Sequence, residues 1–148
     1  MRVCIQRVTS CAVWVDEKCI SCINSGLLLL VAFSNTDILD YNKWMAEKII
    51  GLRIFENEEH KFDKSVNDID GQILVVSQFT LYGNVKKGKR PDFTLSLEAS
   101  KAKVLYDDFV LNLKEIFGFD RVKTGIFGAK MYLNLVNCGP VTIIIDYP

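Results

Sequence analysis

Apolar and polar residues alternate along the first part of the chain, over residues 2–8, 11–16 and 18–23. Because the side chains of a strand point alternately to its two faces, this pattern predicts three half-buried strands. The run from Leu27 to Phe33 is apolar at every position and predicts a fourth strand, buried on both faces. The connections between these segments are very short, which is typical of an antiparallel meander or a barrel wall.

Two segments repeat their apolar residues at helical spacing. The first predicts a helix over residues 37–50, with capping side chains available at residues 35–37. The second predicts a longer helix over residues 98–117, which ends at Gly118. The residues expected on the buried side of the second helix are Ala102, Leu105, Tyr106, Phe109, Leu113 and Ile116.

Further apolar segments predict additional strands. Residues 52–55 predict a short strand, and the first half of residues 73–83 predicts a buried one. Near the C-terminus, residues 131–136 and 141–145 predict two strands with Gly139-Pro140 in the turn between them. Proline lacks an N–H group and glycine leaves its carbonyl accessible, so this turn is either an ordinary connection or bare main chain that faces a ligand.

Polar side chains gather at the end of the buried strand. A period of two places Ser77 and Phe79 on one face, with Gln78 and Thr80 on the other. Such a cluster either caps the structure or lines a site. A basic loop follows, either a phosphate-contact loop or a solvated surface loop, with cations at Lys86, Lys87, Lys89 and Arg90.

Composition narrows the class of protein. The 148 residues are enough for one domain, residues 1–148, and 49% of them are hydrophobic, which excludes a disordered chain. The formal net charge of zero does not indicate a strongly basic nucleic-acid binder, although a local patch remains open. The longest apolar run is far shorter than the ~20 residues that a membrane helix needs, and no signal peptide is evident, so we expect a cytoplasmic protein without membrane contact.

Five cysteines and one histidine are the candidate metal ligands and nucleophiles. Cys19 and Cys22 have C-x-x-C spacing, but residues three apart on a strand point to opposite faces, and no second Cys/His pair completes a tetrahedral site. His60 lies in a charged stretch and is expected to be a turn residue. We therefore expect reduced thiols, no metal and no cofactor.

Three segments of the chain are informative together: Ser77-Gln78-Phe79-Thr80, Gly125-Ile126-Phe127-Gly128-Ala129 and Asn137-Cys138-Gly139-Pro140-Val141-Thr142. With their order and separation, they resemble the D-aminoacyl-tRNA deacylase family, and the similarity extends from the first residue to the last. Residues 1–8 and 89–93 are similar as well. One position departs from the family pattern, because Cys138 stands where an acidic residue is common before the Gly-Pro pair.

The resemblance implies an α+β fold, with a compact β-barrel-like sheet, antiparallel or mixed, and two main helices. It also implies a homodimer with active sites at the subunit interface and a cis Gly139-Pro140 bond inserted into the partner's pocket. The implied reaction is hydrolysis of the ester that joins a D-amino acid, or a glycine, to the 3′ end of tRNA, while L-aminoacyl-tRNA is spared.

For the reaction that the resemblance implies, we hypothesise roles for specific residues. Ser77, Gln78, Phe79 and Thr80 would form the catalytic segment, in which Thr80 orients the attacking water and main-chain N–H groups hold the oxyanion. Gly139 and Pro140 would read chirality with their main chain. Phe127 and Met131 would stack on the terminal adenosine, with Phe79 as a third candidate. The acceptor-stem phosphates would lie on Lys86, Lys87, Lys89 and Arg90.

Three other interpretations stay open. The first is a non-catalytic module that binds the tRNA 3′ end. The second is a paralogous deacylase that edits L-alanyl-tRNA. The third is a thiol or serine hydrolase in which His60 acts as the base for Cys138 or Ser77.

Overall fold

A computed structural model describes residues 1–147, and the sheet in it is built around one long strand. Two helices and a 3-10 turn accompany the strands. The elements in chain order are β1 (Arg2–Val15), β2 (Lys18–Ile23), β3 (Gly26–Ala32), α1 (Asp40–Ile50), β4 (Phe55–Glu56), β5 (Phe62–Lys64), β6 (Gln72–Ser77), the 3-10 turn (Phe79–Tyr82), α2 (Ala99–Phe117), β7 (Val122–Thr124) and β8 (Tyr132–Asp146).

Strand β1 is continuous, so the prediction of separate strands over residues 2–8 and 11–16 is wrong. Shifts in its register with β8 on both sides of Val8 allow it to bend without ending. Strands β2 and β3 both pair antiparallel with it, and the pairs Ile23–Cys11 and Gly26–Val8 share one register, which shifts only beyond Val13. Residues 2–32 therefore form a long bent hairpin.

The sheet is mixed and curls toward closure. Strands β3, β6 and β7 run parallel to one another, whereas β8 pairs antiparallel with β1 along nearly its whole length. The hydroxyl of Ser21 in β2 donates to the carbonyl of Thr124 in β7 at 2.8 Å, which joins two elements that are far apart in the strand order. The predicted α+β, barrel-like mixed sheet with two helices is confirmed.

The two helices pack against each other and cover the main core. Met45 and Ile49 of α1 and Phe109 and Leu113 of α2 are buried against the sheet. Helix α2 lies within one residue of its predicted bounds, because the Glu98 carboxylate accepts the Ser100 N–H at 2.9 Å and caps its first turn. Ile116 was expected to be buried, yet it is 43% exposed at the end of the helix.

The start of α1 differs from the prediction because the expected cap has another partner. The helix begins at Asp40, and Leu39 in the N-cap position offers no side-chain bond. The side chain of Asp37 is instead enclosed, at 2% exposed, and accepts from the Met1 ammonium at 2.7 Å and from the Ser34 N–H at 2.7 Å. No helix within residues 1–147 has the length and apolar character needed to cross a bilayer.

The short strand predicted over residues 52–55 lies farther along the chain. The pairing segment is Phe55–Glu56, which forms a small two-stranded sheet with Phe62–Lys64. His60 lies in the connecting turn with φ of 59° and a largely exposed side chain, as expected for a turn residue.

Candidate functional site

A cavity of about 580 Å³ opens where the parallel strands β3 and β6 end. Parallel strands present their carboxyl ends at the same edge of a sheet, which is where α/β proteins commonly bind ligands. Ser77, Gln78 and Phe79 enter the cavity from the end of β6. Phe127 and Met131 enter from the segment between β7 and β8. The structure therefore brings together two of the segments that sequence analysis singled out.

The chain turns sharply after β6, and this turn sets the positions of the proposed catalytic residues. The Gln78 N–H still donates to the Val31 carbonyl at 2.7 Å, and the 3-10 turn follows directly. The predicted alternation of faces therefore stops at Ser77 and is wrong for Phe79 and Thr80. Thr80 is exposed and does not line the cavity itself, but its hydroxyl accepts from the Gln78 side-chain amide at 2.5 Å.

The backbone of the turn presents free donors. Phe79 and Thr80 begin the 3-10 turn, and their N–H groups have no acceptor within residues 1–147. The carbonyl of Phe79 is held from the other side by the Ser96 hydroxyl at 3.1 Å. The turn thus combines a fixed main chain with two N–H groups that are available to an oxygen of a ligand.

Phe127, the aromatic residue on one wall of the cavity, packs against a buried tyrosine. Phe127 packs at 5.4 Å against the ring of Tyr106, whose hydroxyl donates to the Val75 carbonyl at 2.9 Å. Burial raises the pKa of Tyr106 well above its ordinary value, so this hydroxyl remains a donor at neutral pH. Phe127 is therefore held against a rigid neighbour.

Gly125 makes room for Met131, which lines the cavity together with Phe127. A Cβ at Gly125 would lie only 2.5 Å from the Met131 sulfur, so a larger residue would displace that side chain. Phe79, on the opposite side, is 58% exposed and meets Phe93 edge to face at 5.0 Å. Phe93 lines the cavity too, and sequence analysis gave it no role there.

Gly139 and Pro140 lie within β8, so the prediction of a turn between two strands is wrong. Asn137 pairs with Val8 and Thr142 pairs with Gln6, which leaves four residues of β8 opposite Arg7 alone. Those four residues, 138–141, bulge outward as what we call the Gly-Pro loop. Its Gly139–Pro140 peptide bond is cis, as the resemblance implied, and both residues are exposed.

Arg7 fastens the base of the Gly-Pro loop. Its guanidinium donates to the Cys138 carbonyl at 3.1 Å, to the Ile54 carbonyl at 2.8 Å and to the Glu56 carboxylate at 3.2 Å. The residue is only 4% exposed, although it carries a charge. Sequence analysis assigned it no role, because its partners are distant in the chain and no local pattern reveals them.

The basic loop reaches the cavity through Phe93. Asn84 and Asp92 exchange backbone hydrogen bonds of 2.8 and 2.9 Å and close the loop at its base. All four cations of the loop are exposed, and none has an acidic partner within the described part of the chain; they are Lys86, Lys87, Lys89 and Arg90.

Other candidate groups lie apart from the cavity. His60 does not line it, and the nearest ionic partner of its Nδ1 is Glu56 at 3.4 Å, so the geometry does not pair His60 with Ser77. The five cysteines are free thiols. Within residues 1–147, no three His, Cys, Asp or Glu side chains are grouped in a way that could hold a metal ion.

Comparison with known proteins gives consistent similarities. The sequence model described as D-Tyr-tRNA(Tyr) deacylase matches residues 4–146. The D-aminoacyl-tRNA deacylase of Listeria monocytogenes serotype 4a (strain HCC23) is 51% identical over 146 residues, which cover 99% of this chain and 95% of that protein. The D-aminoacyl-tRNA deacylase of Thermotoga petrophila is 49% identical over 146 residues, with coverage of 99% and 97%.

Solved structures resemble the fold closely. A structure described as c-Myc DNA Unwinding Element Binding Protein superposes with a TM-score of 0.94 at 40% identity, covering 100% of this chain and 99% of that one. A probable eukaryotic D-amino acid tRNA deacylase superposes with a TM-score of 0.86 over 99% and 98% of the two chains. Because the second structure is only 22% identical in sequence, it shows similarity of fold alone.

Proposed function

The chain belongs to the D-aminoacyl-tRNA deacylase family of ester hydrolases, and on that premise we propose that it hydrolyses the ester of D-aminoacyl-tRNA. The products are the free D-amino acid and the tRNA. Glycyl-tRNA is a further substrate in this proposal, and L-aminoacyl-tRNA is spared.

One observation carries the proposal. The cavity joins the polar turn after β6 to the aromatic wall at Phe127, but the Gly-Pro loop of the same chain is not part of its lining. The loop is nevertheless exposed and firmly anchored by Arg7. This arrangement supports a site in which each cavity receives the Gly-Pro loop of a second copy of the chain.

The outer face of β1 and β8 supports a homodimer. Trp14 lies opposite Tyr132, and the latter is 59% exposed. Farther along the same pair of strands, Val136 and Ile144 are also exposed, while β8 has no other strand partner within residues 1–147. Polar residues are also exposed on the same face, so the surface is mixed; they are Asn134, Thr142 and Asp146. Exposed large apolar residues beside an unpaired strand edge are typical of an interface, and in our proposal its occupant is a second copy.

The proposed chemistry is attack by water at the ester carbonyl. The Phe79 and Thr80 N–H groups are positioned to hold the oxyanion, and Gln78 orients the Thr80 hydroxyl toward the water. The carbon–oxygen ester bond then breaks and the ribose oxygen takes up a proton.

Proton transfer is assigned to the RNA. No carboxylate, imidazole or amine lines the cavity within the described residues, so Thr80 lacks a base that would make it a nucleophile. We assign that role to the 2′-hydroxyl of the terminal ribose, which lies next to the ester in the substrate.

Chirality is read by main chain in this proposal. The exposed backbone of Gly139 and Pro140 forms a wall beside the α-carbon of the substrate. The Cβ of an L-residue would be driven into that wall, whereas the side chain of a D-residue points away from it and glycine has no Cβ. The filter therefore accepts many D-amino acids without contacting their side chains.

The RNA end is held by stacking and by charge. Phe127 and Met131 receive the terminal adenine, since single-stranded RNA ends are commonly bound by aromatic stacking. Lys86, Lys87, Lys89 and Arg90 contact phosphates of the acceptor stem. Binding should therefore weaken as salt concentration rises.

The test uses D-Tyr-tRNA and L-Tyr-tRNA with the purified protein and follows release of the amino acid. We expect release from the D-ester only, slowed roughly a hundredfold in Thr80→Ala, because aligned polar groups of this kind contribute 10²–10³ in rate. Thr36→Ala, which changes another exposed threonine, serves as the control. Binding without release would favour the non-catalytic module, and release from L-alanyl-tRNA would favour the paralogous deacylase.

A further inference from the structure

A second concave surface lies on the other side of Phe127. It is a groove of about 430 Å³ between α2 and the segment that follows β7. Its lining includes Lys103, Asp107 and Lys114 of the helix, together with Ile126 and Phe127. Phe127 also lines the cavity, so the groove and the cavity share one wall. None of the roles assigned above uses this groove.

The groove carries positive charge above an apolar floor. Lys103 and Lys114 are eleven residues apart, about three helical turns, and therefore lie along one side of α2. The Lys103 ammonium lies 2.5 Å from the carboxylate of Asp107 and balances its charge. Among the described residues that line the groove, Asp107 is the one acidic residue. Lys114 is half-buried and has no acidic partner within residues 1–147. Ile126 contributes exposed apolar surface.

We propose that this groove binds the unpaired cytidines that precede the terminal adenosine of tRNA. The assignment rests on the proposed function, which places that adenosine against Phe127. Because Phe127 borders both spaces, the groove adjoins the proposed adenosine site and is the surface we assign to the nucleotide on the 5′ side of the adenosine.

The chemistry of the groove matches single-stranded RNA. Cations that follow a backbone, next to apolar surface on which bases lie, are the usual features of such sites. Lys114, aided by Lys103, contacts the phosphates, and Ile126 contacts a base. The basic loop of residues 86–90 does not border the groove, and the neighbouring Phe93 lines the cavity. We therefore assign this loop to the phosphates of the double-stranded stem.

The experiment compares three substrates that differ only in the length of RNA. D-tyrosine is esterified to adenosine, to the trinucleotide CCA and to full tRNA. The test variant is Lys103→Gln/Lys114→Gln, and the control is Lys43→Gln/Lys48→Gln on α1, which does not border the groove.

We expect the test variant to raise KM roughly tenfold for the trinucleotide and for tRNA, with kcat unchanged, and to lose about one unit of salt slope per phosphate contact. Turnover of the adenosine ester should not change. Lys103→Arg/Lys114→Arg should restore the KM, because it keeps both charges.

Three results would overturn the assignment. Equal losses on all three substrates would mean that the lysines act through the cavity. Losses on tRNA alone would place them on the stem, and no loss on any substrate would remove them from binding. A wild-type protein inactive on all three esters would instead refute the proposed function itself and this assignment with it.

Discussion

An alanine at position 139 is the most informative single change in the Gly-Pro loop. Gly139 has φ of +113°, a backbone conformation that residues with a Cβ rarely adopt. A Cβ built there would lie 2.6 Å from Nη2 of Arg7 and 2.9 Å from Cγ2 of Val141. Gly139→Ala therefore strains the backbone and collides with the side chain that fastens the loop.

The size of the effect follows from these two contributions. The unfavourable backbone conformation costs about 1–3 kcal/mol. Displacing the guanidinium from the Cys138 carbonyl loses a charged hydrogen bond, about 1.5–3 kcal/mol. The loop can relieve much of this by moving, because it is exposed. Returning the shifted loop to its catalytic position would then cost about 3 kcal/mol. That free energy would lower kcat/KM for D-Tyr-tRNA roughly a hundredfold.

The assay measures kcat/KM for D-Tyr-tRNA and L-Tyr-tRNA together with urea unfolding. Gly118→Ala is the matched control, since Gly118 has φ of +119° and its added Cβ would come no closer than 3.7 Å to a neighbour. Both variants should lose some stability, but only Gly139→Ala should lose turnover or chiral selectivity. Unchanged turnover and selectivity in Gly139→Ala would refute the reasoning.

Three further predictions concern other parts of the chain. Asp37→Asn should lower the free energy of unfolding by about 3 kcal/mol in urea, because it leaves the buried Met1 ammonium without its charged partner; a loss below about 1 kcal/mol would contradict this. His60→Ala should deacylate at the wild-type rate, and loss of activity would revive the hydrolase interpretation. Burial raises the pKa of Cys11 to about 11, so its thiol stays protonated at pH 8 and maleimide should label it more slowly than exposed Cys19.

The secondary structure could largely be predicted because alternation and helical spacing are local signals. Helix α2 was predicted within one residue, and the run from Leu27 to Phe33 does form a buried strand up to Ala32. Bends were not predictable in the same way. The Gly-Pro loop and the bend in β1 both break the alternation, and a break of that kind looks the same whether a strand ends or merely bulges.

Only those parts of the candidate site that lie within sequence motifs could be predicted. The segments around Ser77 and Phe127 were found, and the structure places them in one cavity. Arg7 was missed because its contact with Cys138 spans 131 residues. Asp37 was expected to cap the first helix but binds the Met1 ammonium, a contact that no local sequence pattern indicates.

The central claim is that each cavity works with the Gly-Pro loop of another copy, and mixing two defective chains tests it most directly. Gly139→Ala impairs the loop and Phe127→Ala impairs the cavity, so homodimers of either variant contain no unaltered site.

In mixed dimers, the intact cavity of one chain meets the intact loop of the other. Co-refolding the two variants in equal amounts should therefore restore about a quarter of the wild-type D-Tyr-tRNA deacylation, since half of the dimers are mixed and each holds one unaltered site. Activity no higher than the mean of the two separate variants would contradict the account.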